Sequence, residues 1–423
     1  MVNDNLMREL AEQQEADRKK IIAMTPPFKK GQGDKPKTTS VVNVQLAIEY
    51  DPLLKGAFAY NEFTWEVEVV RDIPQLHIKK GQMLDAYTSL ILSELETVWD
   101  VSFSDRALEH GVIALSRNYG YNPVQNYLNK AEKQWDKQER LETFMPIYLG
   151  VEHSEITTLI TKLWLVGLCT KAFEPDAKFD YVLDLVGGQG AGKTTLLEKL
   201  GGDWYTDQFL DYSDKDSYSN MLRAIIINDD EMTATANASF EELKKFISAR
   251  KLAFRPAYGH TTIRRDKSFV IARTTNELTY LKDRTGERRF LPLLVNKHQQ
   301  QKHPVEYLDD DYILQLYGEA MHLYKAGFTF DLTQEQEDML NEHRSQFMYV
   351  DATEESIEHV LATWSADFIT SKQIGDNIGA GELVKNKTTA KKIKYVMDNQ
   401  EDWRPGFKKV GKTSQRGWRR RLQ

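Results

Sequence analysis

Residues 187 to 194 read Gly-Gly-Gln-Gly-Ala-Gly-Lys-Thr and satisfy the pattern G-x-x-x-x-G-K-[ST]. The apolar run Tyr181-Val182-Leu183-Asp184-Leu185-Val186 precedes them, and the helix-like run Thr195-Leu196-Leu197-Glu198-Lys199-Leu200 follows. A glycine-rich turn between a strand and a helix constrains the fold strongly, because it reads as one strand–turn–helix unit of a mainly parallel sheet. Glycines let successive backbone N–H groups converge on phosphate oxygens, and the helix N-terminus adds positive potential. Gly187, Gly188, Gln189, Gly190, Ala191, Gly192, Lys193, Thr194 and Thr195 are therefore the expected triphosphate-binding residues, with ATP and Mg²⁺ as cofactors. In such a site Lys193 reaches the β- and γ-phosphates and Thr194 ligates the metal.

At 423 residues the chain has material for two or three domains. Its 41% hydrophobic and 28% charged residues are those of an ordinary soluble protein. Cys169 is the only cysteine and lies in an apolar run, which excludes a disulfide framework or a cysteine metal site. The nine histidines show no zinc-ligand spacing. The N-terminus lacks the continuous apolar core of a signal peptide, and no stretch reads as a membrane span of roughly 18 apolar residues. A cytoplasmic protein without a membrane partner is expected. The net charge of −7 is unevenly spread. From Lys385 to Gln423, thirteen lysines and arginines face only Asp398, Glu401 and Asp402, an excess of +10, so a basic module is joined to an acidic body.

Four regions are expected. Residues 1–40 read as a charged segment followed by a disordered Pro/Gly/Lys-rich linker from Pro26 to Lys37. Residues 41–150 read as a mainly helical domain that includes an alternating, strand-like segment from Phe58 to Val67. Residues 151–345 read as an α/β ATPase domain, introduced by an apolar helix from Glu155 to Phe173. Residues 353–423 read as a separate unit: three helices, then a glycine-punctuated basic stretch from Trp403 to Arg421 that resembles a β-wing.

Three further motifs follow the glycine loop in order. Ala224-Ile225-Ile226-Ile227-Asn228-Asp229-Asp230-Glu231 is a buried strand ending in acids, as a phosphate-bound Mg²⁺ requires. Asp230 is favoured for the metal and Glu231 as the base that polarises water, with Asp229 as the alternative metal ligand; an ordinary solvated acidic turn is the bland alternative. A third strand, Ser268 to Arg273, ends in Thr274-Thr275-Asn276, where Asn276 would contact the γ-phosphate and orient the water. In Asp283-Arg284-Thr285-Gly286-Glu287-Arg288-Arg289-Phe290, Arg288 or Arg289 would serve as an arginine finger, against surface salt-bridging. A finger supplied by a neighbour demands a head-to-tail contact, which closes into a ring where the rotation permits.

Two basic elements point to nucleic acid. Strand-like runs flanking Tyr258-Gly259 predict a hairpin carrying Lys251, Arg255, Tyr258, His260, Arg264 and Arg265. Cations and an aromatic on such a hairpin suit single-stranded DNA, although a solvated basic loop has the same composition. In the C-terminal unit, a basic helix from Thr388 with Lys391, Lys392 and Lys394, and a stretch with Lys408, Lys409, Lys412, Arg416, Arg419, Arg420 and Arg421, read as a winged helix-turn-helix for duplex DNA. Trp403 and Trp418 are expected to form its small core.

The ordered motifs resemble the virulence-associated protein E (VapE) proteins of phages and pathogenicity islands, relatives of superfamily 3 helicases within the AAA+ ATPases. The resemblance runs from about residue 41 to 345 and includes Tyr60-Asn61-Glu62-Phe63, Asn122 to Leu128, Trp135 to Leu141, Arg255 to Gly259, Thr274 to Glu277 and Thr285 to Phe290. It implies an α/β P-loop NTPase core, and ATP-driven unwinding or translocation on DNA by a ring, usually a hexamer, in replication of a mobile element. Single-stranded DNA would then occupy the ring channel, with duplex DNA on the winged helix and other replication proteins as partners. Asn228 stands where the family usually has Glu, Lys137 replaces its usual Gly, and no primase domain is expected. An ATP-switched initiator or helicase loader is the nearest alternative, and a P-loop small-molecule kinase the next.

Overall fold

The computed structural model describes residues 26–215, 217–255, 261–281, 287–349, 352–380, 383, 386–398, 400, 402–410 and 413–421. The chain divides into two compact units. The first comprises residues up to 276 together with 289–333, and the second comprises 277–288 together with 334–423.

The first unit begins with residues 26–40, which pack against the body where the sequence predicts disorder. Phe28 sits edge-on to Trp99 and Phe103, at ring-centroid distances of 6.4 and 6.2 Å. The buried Asn43 accepts from the Lys29 backbone N–H at 2.7 Å and donates to the carbonyls of Lys29 and Lys37. One side chain with three backbone partners organises a stretch whose composition alone resembles a linker. Residues 1–25 lie outside the described residues.

A small sheet follows, with β1 (Phe58–Asn61), β2 (Glu66–Val69), β3 (Gly81–Gln82) and β4 (Gly120–Tyr121) in the order β3-β2-β1-β4. The predicted single strand from Phe58 to Val67 is thus a hairpin. Asn61 Oδ1 accepts from the backbone N–H groups of Phe63 and Thr64, at 2.9 and 3.1 Å, and turns the chain there. Helices Val41–Tyr50, Asp85–Trp99 and Asp105–Ser116 close this core, and Pro123–Gln134 and Leu141–Leu149 follow.

The second layer is a five-stranded sheet of β5 (Val182–Val186), β6 (Tyr205–Thr206), β7 (Ile226–Asp229), β10 (Val270–Thr275) and β11 (Phe290–Leu294), ordered β11-β5-β10-β7-β6. Every pairing in it is parallel, as the alternation of strand and helix signals predicts. Between β7 and β10 the chain forms an antiparallel pair, β8 (Lys251–Phe254) with β9 (Ile263–Asp266). Helix Glu155–Phe173 is the one described helix long and apolar enough to cross a membrane, but it is mostly buried. Trp164 on it is fully buried and donates its indole N–H to the Ile271 carbonyl at 3.0 Å, and Cys169 beside it is a buried free thiol. It is a core helix.

In the second unit, helices Ala352–Thr363, Ser371–Asn377 and Lys387–Asp398 pack with a sheet of β12 (Phe368–Ile369), β13 (Trp403–Val410) and β14 (Thr413–Arg420), ordered β12-β14-β13. Ile357, Ile393, Trp403 and Trp418 share its core, the role expected of both tryptophans.

Candidate active site

In a parallel sheet the carboxyl ends of all strands lie along one edge, and loops leaving that edge form the natural crevice for a ligand. Here β5 runs into the glycine-rich loop, β7 into Asp230 and Glu231, and β10 into Asn276. These segments line a cleft of about 300 Å³ together with Lys193, Thr194 and Thr195.

The glycine loop is held from both sides. The Gly187 N–H donates to the Thr275 carbonyl at 3.0 Å, and Gly187 has φ +151°, where a Cβ would sit 2.5 Å from the Val295 carbonyl oxygen. No other residue fits that approach. Gly192 caps the helix Lys193–Gly201 in a left-handed conformation without a side-chain cap, which leaves the first-turn N–H groups directed at the cleft.

Lys193 lies across the cleft floor. Its ammonium donates to the carbonyls of Gly187 and Gly188 and, at 3.0 Å, to Asn276 Oδ1. Burial pulls its pKa below the ordinary lysine value, while the carboxylates of Asp230 and Glu231 oppose that shift. Asp230 Oδ1 collects three donors: Thr194 Oγ1 at 2.8 Å, Thr274 Oγ1 at 2.7 Å and Asn228 Nδ2 at 3.3 Å. The Thr194 hydroxyl and an Asp230 oxygen are hard donors side by side, the set a phosphate-bound Mg²⁺ requires. The buried Asn228 Oδ1 has no hydrogen-bond partner among the described residues.

Asp229 is placed differently from the alternative metal role assigned to it. It is buried, accepts from Tyr212 Oη at 2.9 Å, and takes the backbone N–H groups of Ala234 and Thr235 and the Thr235 hydroxyl. It does not line the cleft. Successive strand residues point to opposite faces, so Asn228 and Asp230 share one side and Asp229 takes the other. Glu231, by contrast, is exposed and lines the cleft. Both it and Met232 adopt left-handed backbone at φ +52°. For non-glycine residues that costs on the order of 1–3 kcal/mol each, a strain typical of functional turns. Thr274 supports the turn by accepting the Glu231 backbone N–H at 2.9 Å.

His303 was not legible as a site residue. It lines the cleft, with Nε2 3.2 Å from the Gly190 carbonyl, and its Nδ1 accepts from the Val305 N–H. That tautomer makes Nε2 the donor to the loop. Gln300 adds a second clamp, donating to the Ala191 carbonyl at 2.7 Å. His303 directly before Pro304 carries only a helix-start signal, which says nothing of a ligand.

Arg289 does not line the cleft. Arg289 Nε donates to Ser248 Oγ at 3.2 Å, and the Arg288 carbonyl accepts from Arg344. Residues 282–286, within the same predicted motif, lie outside the described residues.

Of the internal basic hairpin, Lys251, Arg255 and Arg264 are exposed on or beside β8 and β9. Lys251 pairs with Asp266 at 3.2 Å, and Arg265 stacks 4.3 Å from the Trp65 ring, so Arg265 is held on the body. Tyr258 and His260 lie outside the described residues, as does Lys412. In the C-terminal unit Lys391, Lys394, Lys409, Arg416, Arg419 and Arg421 are exposed, and Lys392 is half-buried. Lys408 pairs with Asp367 at 3.2 Å. Arg420 is exposed as well, lies 5.0 Å from the Trp403 ring and donates to the carbonyls of Leu361 and Trp364.

Among solved structures, the chain is similar to two A-form apo structures of the NrS-1 C-terminal region. Each is 11% identical, covers 86% of this chain and 95% of that one, and has a TM-score of 0.45. A further apo structure of the region is 12% identical over the same shares, with a TM-score of 0.39. No curated protein matches the sequence. Residues 128–349, more than half of the chain, match the virulence-associated protein E-like domain. That stretch contains every residue lining the cleft, and the chain belongs to the virulence-associated protein E-like family.

Proposed function

We propose that this protein is an ATP-dependent DNA helicase or translocase that acts in replication of a phage or another mobile genetic element. In this reading the first unit holds a superfamily 3-like AAA+ P-loop motor that assembles into a ring. The second unit holds a winged helix for duplex DNA. The carrying observation is the convergence of Lys193, Thr194, Asp230, Glu231 and Asn276 on one cleft at the carboxyl edge of a parallel sheet.

The chemistry follows from the placement. Lys193 and the loop N–H groups bind the β- and γ-phosphates, and Thr194 and Asp230 would hold a Mg²⁺ ion, which would offset phosphate charge. Glu231, exposed at the cleft, accepts the proton of a water that attacks the γ-phosphorus. The bond to the bridging oxygen breaks and leaves ADP and phosphate. Asn276, which holds the lysine here, orients that water or the γ-phosphate. Arg288 or Arg289 acts as an arginine finger on the site of a neighbouring subunit.

Strand displacement on forked DNA tests the reading. The wild type should hydrolyse ATP faster with DNA present and separate the strands, and Lys193→Ala should do neither. Unwinding that survives Lys193→Ala overturns the motor. DNA-stimulated hydrolysis that needs a partner helicase for unwinding identifies a loader, and a phosphorylated small-molecule product identifies a kinase.

A further inference from the structure

β13 and β14 pair antiparallel from Trp403↔Arg420 to Val410↔Thr413. Directly opposed residues share a face, and the faces alternate along each strand. One face therefore carries Trp403 with Arg420, Pro405 with Trp418, Phe407 with Arg416, and Lys409 with Ser414. At the root of the hairpin this face is core, since Trp403 and Trp418 are 4% and 8% exposed. Farther along, the same face leaves the core, and Phe407 stands 64% exposed.

A single exposed apolar side chain is ordinary on a protein surface. The setting of Phe407 is not. Arg416 lies directly opposite, Lys408 and Lys409 follow it in sequence, and the two strands together hold six lysines and arginines and no acid. That density of positive charge selects a polyanion, and the exposed ring selects one with flat apolar faces. A nucleic acid has both. In an intact duplex, however, the base faces are covered by their neighbours, so an aromatic ring reaches one only where the stack ends or opens.

We propose that Phe407 is a base-stacking residue that engages the first unpaired nucleotide at a junction of duplex and single strand, with Arg416 and Lys409 on the adjoining phosphates. The inference rests on the DNA-binding reading of this unit and deepens it: the hairpin recognises a junction rather than uniform duplex. Cations alone would bind any duplex with equal preference, because phosphate contacts carry no information about where the stack ends.

The test uses the full chain and two DNAs of the same duplex sequence, one closed into a relaxed circle without ends and one forked, with 2-aminopurine at the first unpaired position of the fork. Stacking on one aromatic ring is worth about 5- to 100-fold in affinity. Phe407→Ala should weaken fork binding by that factor, leave binding of the closed circle unchanged and abolish quenching of 2-aminopurine. Phe407→Trp should keep both. Fork affinity and quenching unaltered in Phe407→Ala, with DNA binding intact, overturn this inference and leave the DNA reading standing. A wild-type protein that binds neither DNA overturns both. If Phe407→Ala instead dissolves self-association without DNA and leaves fork affinity unchanged, the ring is covered by a second copy of the chain and the inference fails.

Discussion

Arg273 and Asp184 face each other in the register of β10 and β5, Nε to Oδ1 at 2.7 Å and Nη2 to Oδ2 at 2.6 Å, with side chains 2% and 0% exposed. This bidentate pair fastens the strand that launches the glycine-rich loop to the strand that ends in Asn276. Its guanidinium also stacks 4.1 Å from the Phe290 ring on β11, so three adjacent strands meet at one charge. Removing one partner strands a buried charge, which costs about 3–5 kcal/mol. Asp184→Leu should lower stability by that amount in urea denaturation, and the double variant Asp184→Leu/Arg273→Met should recover most of it.

Thr274 joins the two acids of the cleft, donating to Asp230 Oδ1 and accepting the Glu231 backbone N–H. Hydrogen bonds to charged groups contribute roughly 1.5–3 kcal/mol, so Thr274→Val should lower kcat for ATP on the order of 10- to 100-fold, with a smaller change in KM. Thr274→Ser keeps the hydroxyl and should retain most activity. A fall in KM affinity without a fall in kcat would show that Thr274 serves binding and not the geometry of the acids.

Asp229 and Asp230 are adjacent in sequence and have separate hydrogen-bond partners. Asp229→Asn disturbs acceptors of two backbone N–H groups and should reduce thermal stability while leaving the Mg²⁺ dependence of hydrolysis in place. Asp230→Asn should do the reverse, raising the Mg²⁺ concentration that hydrolysis requires with little loss of stability. Titrations of activity against Mg²⁺, beside melting curves, separate the two.

Lys267 is buried and donates to the Ile247 carbonyl near the end of helix Phe240–Ser248. Burial, with the Lys171 ammonium adding to it, lowers its pKa to about 7 from an ordinary 10.5. Unfolded chain therefore binds a proton that folded chain has released between those values, and stability rises with pH across that window. Below about pH 7 both states are charged and the burial penalty is present in full. The urea midpoint should rise from pH 7 to 9 in the wild type, and Lys267→Met should flatten the rise; Lys171, lowered to about 8, supplies what remains.

Arg289 does not line the cleft of its own chain. Under the proposed ring, Arg288→Ala or Arg289→Ala should abolish hydrolysis while leaving nucleotide binding near the wild-type value. Mixing that inactive arginine variant with Lys193→Ala subunits should restore part of the activity, because intact fingers would meet intact cleft residues across some interfaces. Strictly additive activities in such mixtures would count against action between subunits.

The sequence by itself determined which local segments meet at the cleft, though not every residue that lines it. The spacing from Gly187 to Thr194, the apolar strand ending at Asp230 and the strand ending at Asn276 are local patterns, and local backbone preference suffices to read them. The helix Glu155–Phe173 and the C-terminal hairpin were legible for the same reason. Tertiary structure decided which neighbouring groups do which work. Asp229 and Asp230 differ only by strand parity at a sheet edge, and the acceptor role of Asp229 needs Tyr212 and Thr235, brought from elsewhere. His303 reaches Gly190 across more than a hundred residues, and Asn43 orders a linker-like stretch through contacts no composition records. Arg420, one of a run of arginines, lies over the Trp403 ring and donates to the Leu361 and Trp364 carbonyls while remaining exposed. Side-chain identity is written in the chain, but the direction a side chain faces is set by partners distant in sequence.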